Sequence, residues 1–248
     1  LQGGGSLGGT RPKATFIHGG RRHIAKFPSR GDAHDVEVLE ASTLALARLC
    51  GITVPDFFLH PLRHGQALLL ERFDREGPAE AELRQHYLSA AAVLDARYES
   101  SDGSYVELAQ VLRRLGAQPQ IDLPELYRRL VFNLVVDNSD DHVKNHGLLL
   151  RADGWRLAPA FDLVMQLSNL GYQALAVLPD RLDSHLGLAR EAAPQFGLTP
   201  AQAQAVIESV AETVHTQAPV MLDAHGADAA LRRRVQACLE KQARLIGL

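Results

Sequence analysis

Three polar residues stand at a spacing that suits phosphoryl transfer. Asp140 precedes Asn145 by five positions in Asp140-Asp141-His142-Val143-Lys144-Asn145, and Asp162 follows in Ala158-Pro159-Ala160-Phe161-Asp162. Moving a phosphoryl group from ATP asks a protein for little covalent chemistry. It needs a carboxylate to orient and deprotonate the attacking hydroxyl, and oxygen ligands to hold Mg²⁺ against the phosphates. Asp140 suits the first task, and Asn145 with Asp162 the second. Plainer roles are open to each. Asp162 could cap a helix ahead of Leu163-Val164-Met165, and Asp137, Asp140 and Asp141 could form a solvated loop.

The same chemistry needs a phosphate-binding loop and an anchored cation upstream. The chain begins Gly3-Gly4-Gly5-Ser6-Leu7-Gly8-Gly9-Thr10-Arg11-Pro12-Lys13. Glycines let backbone N–H groups approach phosphate, and Arg11 and Lys13 add charge; a flexible terminus has the same composition. A strand at 14–18, a turn at Gly19-Gly20-Arg21-Arg22 and a strand at 23–27 carrying Lys26 follow. A Walker A loop would instead lead straight into a helix. Between about 35 and 50, Val36, Leu39, Thr43, Leu44, Ala47 and Cys50 recur at helical period, with Glu40 in or beside that stripe. A carboxylate there needs a cationic partner or it raises its pKa. Lys26 can supply the charge, although an outward-facing lysine is the simpler reading.

The elements that must position these residues suggest an α+β fold in two lobes. Ile52-Thr53-Val54-Pro55 leads into a strand expected at 57–60, a further strand is expected at 67–73, and Asp74-Arg75-Glu76-Gly77-Pro78 reads as a link. This makes 1–75 a strand-rich N-lobe and 76–248 a mostly helical C-lobe. Helices are expected at 86–95, 104–116 and 123–137. The last is apolar on nearly every face, hence buried, and it delivers the chain to Asp140. A hairpin turning at Arg151-Ala152-Asp153-Gly154 brings Asp162 back toward Asn145. In the tail, Thr199-Pro200-Ala201-Gln202 has the form of a capping box with proline at the first helical position. A final helix buries Leu231, Val235, Cys238, Leu239 and Leu245, and turns Arg232-Arg233-Arg234 to solvent.

Composition excludes several classes. The 248 residues are 46% hydrophobic with a net charge of −3, which gives nonspecific nucleic-acid binding no electrostatic basis. Two cysteines, Cys50 and Cys238, fall in helical patterns and read as buried thiols. No apolar run reaches membrane-spanning length and no signal peptide is evident, so a cytoplasmic protein without a membrane partner is expected. The eleven histidines form no ligand motif and are expected mostly at the surface.

Several segments occur together in order: Ser6 to Lys13, His23 to Phe27, Glu71-Arg72-Phe73-Asp74-Arg75, Tyr98-Glu99-Ser100, Asp140 to Asn145 and Ala158 to Asp162. Together they resemble the HipA-like serine/threonine kinases, toxin components of bacterial toxin–antitoxin modules. The resemblance implies a bilobal protein-kinase-like fold that uses ATP and Mg²⁺. It assigns Gly8, Gly9, Thr10, Arg11, Pro12 and Lys13 to the phosphate loop and Lys26 to phosphate contact. Glu71, Arg72 and Phe73 become the adenine hinge, and Asp140 the catalytic aspartate. His142, Val143, Lys144 and Asn145 become the nucleotide and metal segment, and Phe161-Asp162 the metal-binding dipeptide. Ser6 matches the family's loop serine, whose autophosphorylation is associated with loop ejection and loss of activity. A protein substrate is implied, such as the aminoacyl-tRNA synthetases on which some relatives act, and an antitoxin through which any nucleic-acid contact would run.

The sequence also departs from that family. Arg11-Pro12 stands where Gln-Glu usually precedes the lysine, and Pro12 removes an N–H. Relatives carry a domain-sized segment ahead of the loop that this sequence does not contain. Asp140 to Asn145 has the protein-kinase interval, with Asn138-Ser139 in place of His-Arg. Lipid and inositide kinases use Asp-x-His-x-x-Asn as well. A kinase of a small-molecule or lipid acceptor and a catalytically inactive binding module are therefore the competing readings.

Overall fold

The computed structural model describes residues 11–96 and 103–248. Ser6, Gly8, Gly9, Thr10 and the Tyr98-Glu99-Ser100 run lie outside the described residues. β1 (Lys13–His18) and β2 (Arg21–Lys26) form a hairpin closed by Gly19 and Gly20, both at positive φ (56° and 74°). A two-residue turn of that hand matches the strand twist, which is why two glycines sit there. β3 (Phe57–Pro61) and β4 (Gln66–Glu71) complete an antiparallel sheet of order β1-β2-β4-β3. Alternation along β2 sends Ala25 to a small cluster with Ala67 and Leu69, and Ile24 and Lys26 to the opposite face.

α1 (Val36–Leu49) starts where the Asp35 side chain accepts a hydrogen bond from the Val38 N–H. Its residues from Glu37 to Leu44 are all buried because it is covered twice, by β3 and β4 on one side and by α6 (Pro200–Ala224) on another. One continuous hydrophobic core therefore runs from the sheet through α1 into the helical part.

α4 (Pro119–Val135) is the central post. It contacts α3 (Tyr105–Leu115), α5 (Leu186–Ala192), α6 and α7 (Ala229–Ile246). It begins four residues before the expected start, since Pro119 at the first position is already set for helix. It ends at Val135, and Asp137 leaves it at φ 55°. The helix expected over 86–95 is mostly absent. Tyr87–Ser89 (β7) instead pairs with β8 (Gly147–Arg151), and only Ala90–Val93 (α2) coils, capped by Ser89. The edge of β8 offers the Tyr87–Ser89 backbone a ladder that local propensity does not register. β9 (Gly154–Leu157) returns antiparallel from β8, so the expected hairpin is present. Arg75–Glu76 (β5) and Leu83–Arg84 (β6) form a short ribbon where a plain link was expected. The capping box at Thr199 and Gln202 is complete, and both cysteines are buried free thiols. No helix of the described residues is long and apolar enough to cross a membrane.

Phe132 on α4 is 0% exposed, whereas Ile121 on the same helix is 51% exposed. Phe132→Ala should cost about 3–5 kcal/mol in urea unfolding, and Ile121→Ala should stay within about 0.5 kcal/mol of the parent.

Candidate functional site

Lys26 is buried on β2, and its ammonium meets two carboxylates. Nζ lies 2.5 Å from Glu40 Oε1 on α1 and 2.6 Å from Asp162 Oδ1, a residue 136 positions away. Burial by itself would lower the lysine pKa, but Glu40 and Asp162 outweigh it and hold it above the ordinary value. Asp162 is similarly opposed. Desolvation would raise it, yet Lys26, then Lys13 and His142, keep it below the usual carboxylate range. Its side chain remains 39% exposed, so one side of the carboxylate is open. No helix follows Asp162; residues 158–170 have no regular structure, and Asp162 takes φ 59°. That left-handed conformation is uncommon away from glycine and marks a constrained position.

A cleft of about 510 Å³ opens beside this triad. Lys13, Lys26, His142, Lys144, Asn145 and Asp162 make its polar end. Ile24, Pro55, Leu70, Phe73, Tyr87 and Phe161 make its apolar end, where the Phe73 and Phe161 rings lie 5.7 Å apart and Tyr87 lies 5.9 Å from Phe73. Flat apolar walls at one end and cations with acidic and amide oxygens at the other suit a nucleotide. Glu71, Arg72 and Phe73 all line the cleft. The N–H groups of Glu71 and Arg72 are already donated to Asp56 O and Arg22 O, which leaves Phe73 of the three.

Two residues of the expected phosphate loop are placed elsewhere. Arg11 makes a two-pronged bond to Asp32, with 2.7 Å on each prong, and a third bond to Glu37. The Pro12 carbonyl accepts from the Phe27 N–H, and neither Arg11 nor Pro12 lines the cleft. Their role is to pin the start of β1 to the segment before α1 and to β2. Val143 also faces away from the cleft, into the core at 2% exposure.

The acidic loop is not simply solvated. Asp140 is exposed, but Asp137 and Asp141 are buried. Asp137 accepts the N–H groups of Ser168 and Asn169, which ties the segment after Asp162 to the end of α4. Of the histidines, His23 and His146 are buried. Tyr87 was missed as a cleft residue because its segment was read as helix. Its alternation with Ser89 ahead of a small-residue run was the available signal. Gly147 makes room for it: a Cβ there would lie 2.4 Å from the Tyr87 ring.

Two outcomes follow from this packing. Lys26→Met and Glu40→Gln should be non-additive in a double-mutant cycle, with a coupling of about 0.5–3 kcal/mol in unfolding free energy; simple additivity would dissolve the pair. Gly147→Ala should displace the Tyr87 ring, lowering both thermal stability and the affinity of a fluorescent ATP analogue, whereas Gly154→Ala on the same hairpin should leave that affinity unchanged.

A family model described as HipA-like C-terminal domain matches residues 5–218. Y4mE of Sinorhizobium fredii, a protein provisionally named a kinase, is 30% identical over 159 residues, covering 62% of this chain and 36% of that protein. The serine/threonine-protein kinase toxin HipA of Shewanella oneidensis is 26% identical over 187 residues, covering 64% and 42% respectively. The chain thus spans about two-fifths of the length of these relatives. Among solved structures, Shewanella oneidensis HipA in complex with HipB and operator DNA superposes with a TM-score of 0.76 at 18% identity. That match covers 99% of this chain and 65% of the other. The Helicobacter pylori proinflammatory kinase CtkA gives 0.70 at 12% identity, covering 94% and 90%. These similarities establish the α+β kinase-like fold. With the family match running through the cleft, the acidic loop and Asp162, the chain belongs to the HipA-like C-terminal domain family.

Proposed function

We propose that this chain binds Mg·ATP in the cleft and transfers the γ-phosphoryl group to a serine or threonine hydroxyl of a protein. The observation that carries this reading is the meeting of Lys26, Glu40 and Asp162 from three separate elements, beside Asn145 in one cleft. The aromatic end would receive adenine, with the Phe73 N–H as hinge donor. Lys26 and Lys13 would face phosphate, and His142 and Lys144 line the same end. We read the strand-rich part, up to about Arg75, as the lobe that covers the nucleotide, and the remainder as the lobe that carries the loop.

The donor set fits Mg²⁺. Asn145 and Asp162 offer hard oxygen ligands, and Mg²⁺ is commonly held by one or two carboxylates together with substrate phosphates. Among the described residues no cluster of three or more His, Cys, Asp or Glu side chains could hold a metal without a ligand's help. When bound, the ion would neutralise charge on the transferred group. Asp140, exposed two positions before the cleft residue His142, would accept the proton of the attacking hydroxyl and orient it.

The toxin assignment and the antitoxin partner are part of this proposal. They rest on the likeness to HipA, whose structure contains HipB and operator DNA. Any nucleic-acid contact would then run through an antitoxin, and an aminoacyl-tRNA synthetase is one candidate substrate class. Autoregulation through Ser6 stands on the family resemblance alone.

Calorimetry and phosphate transfer together test the reading. Asp140→Asn should abolish transfer while keeping Mg·ATP affinity within roughly tenfold, and Asp162→Asn should weaken the magnesium-dependent part of binding. A parent chain that binds ATP equally with and without Mg²⁺ would point to an inactive binding module. A phosphoproteome compared between parent and Asp140→Asn cells would separate a protein acceptor from a small-molecule or lipid one.

A further inference from the structure

We propose that Asp141 is a positioning residue, a buried anion that holds the loop between Asp140 and Asn145 in its working shape through Tyr105 and His146. The inference rests on the phosphoryl-transfer reading above and adds to it three residues that line no part of the cleft.

Asp141 is 1% exposed, although its neighbour Asp140 faces solvent. A carboxylate is tolerated in the interior only when hydrogen-bond donors satisfy it. Here Oδ2 accepts the Tyr105 hydroxyl at 2.6 Å, and His146 Nε2 donates to Oδ1 and Oδ2 at 3.0 and 3.1 Å. The chain of donors continues behind Tyr105. Asn133 Nδ2 donates to the tyrosine oxygen at 2.8 Å, and Asn138 Nδ2 donates to Asn133 Oδ1 at 3.2 Å. Each bond along Asn138, Asn133 and Tyr105 points its proton toward Asp141. Aligned bonds of this kind polarise one another, and the carboxylate at the end gains most.

The placement of these residues gives the network its leverage. Asn138 and His146 bracket the loop, so both of its ends are tied to one hub. Tyr105 opens α3 and Asn133 lies on buried α4, so the hub is referred to two helices. His146 packs edge-on against the Tyr105 ring at 5.4 Å. Its carbonyl accepts the Ala90 N–H at 2.9 Å and the Tyr87 hydroxyl at 3.2 Å, and Tyr87 is a wall of the cleft. Asp141 is bonded to Asp140 in the chain and His146 to Asn145, so the hub sets where both working side chains project. A shift of about 1 Å at such groups can cost on the order of a hundredfold in rate.

The alternative is that these residues only add stability, and the test separates the two. Tyr105→Phe keeps the ring and removes the donor. Asp141→Asn keeps the shape and removes the charge. His146→Gln retains an amide N–H near the Nε2 position, and His146→Leu does not. Magnesium-dependent ATP turnover by the 248-residue chain is measured against ATP concentration, in variants whose near-ultraviolet circular dichroism matches the parent. Tyr105→Phe and Asp141→Asn should lower kcat roughly ten- to hundredfold with KM for ATP within about twofold, and His146→Gln should recover most of what His146→Leu loses. Unchanged kcat in folded variants, or equal loss in both His146 variants, overturns the proposal. Hydrogen exchange of amides 139–146 reads the loop without turnover. Faster exchange in Tyr105→Phe, confined to that stretch, supports positioning, and unchanged protection overturns it even in a parent that hydrolyses no ATP. Inactivity of the parent with the exchange effect intact would instead count against the transfer reading.

Discussion

One buried ammonium holds the candidate site together. Lys26 belongs to a strand, Glu40 to a helix, and Asp162 to an irregular segment 136 residues later. Removing Lys26 leaves two neighbouring carboxylates without their cation, Glu40 of them fully buried, and such orphaned charges are costly. The constraint is geometric as well as electrostatic. Nζ can reach both carboxylates only if β2, α1 and the segment after β9 keep their present relation. The uncommon backbone conformation of Asp162 fits a residue whose position is dictated by partners from elsewhere in the chain.

α4 supplies the rigid frame to which that segment is tied. Arg129, fully buried, donates to Glu125 one turn before it and to the Ala158 carbonyl, four residues before Asp162. Asp122 receives Arg156 and the Leu157 N–H, fixing β9. Asn133 joins the hub beneath the acidic loop, and the Leu134 carbonyl receives Gln242 from α7. A helix buried along most of its length thus directs several of its polar side chains to the segments that carry the site. The contact of α1 with α6 extends this frame to the sheet. Ser42 meets His225 at 3.1 Å, and Gln66 donates to the His225 carbonyl at 3.2 Å. A nucleotide in the cleft would therefore sit between two parts that share a core.

Much of this was legible in the sequence because it is local. The Gly19-Gly20 hairpin, the α1 stripe with Glu40 in or beside it, the Thr199 capping box and the apolar residues on nearly every face of α4 are each written in neighbouring residues. The pairing of Lys26 with Glu40 could be argued as well, since a carboxylate in an apolar stripe demands a cation and the order of elements offered one. Asp140, Asn145 and Asp162 stood out by residue type and interval.

Tertiary structure decided the rest, wherever the deciding partner is remote in sequence. Tyr87 leaves helix for strand because β8 pairs with it, and Gly147 matters because that ring lies against it. Arg11 turns from phosphate loop to tether because Asp32 and Glu37 lie within its reach. Nothing near Asp141 or His146 in the sequence marks either as buried, yet both are, with Tyr105 on a distant helix packed against them. Periodicity and caps report what a segment prefers by itself. Which polar groups are drawn inward depends on donors and acceptors that only the folded chain brings together.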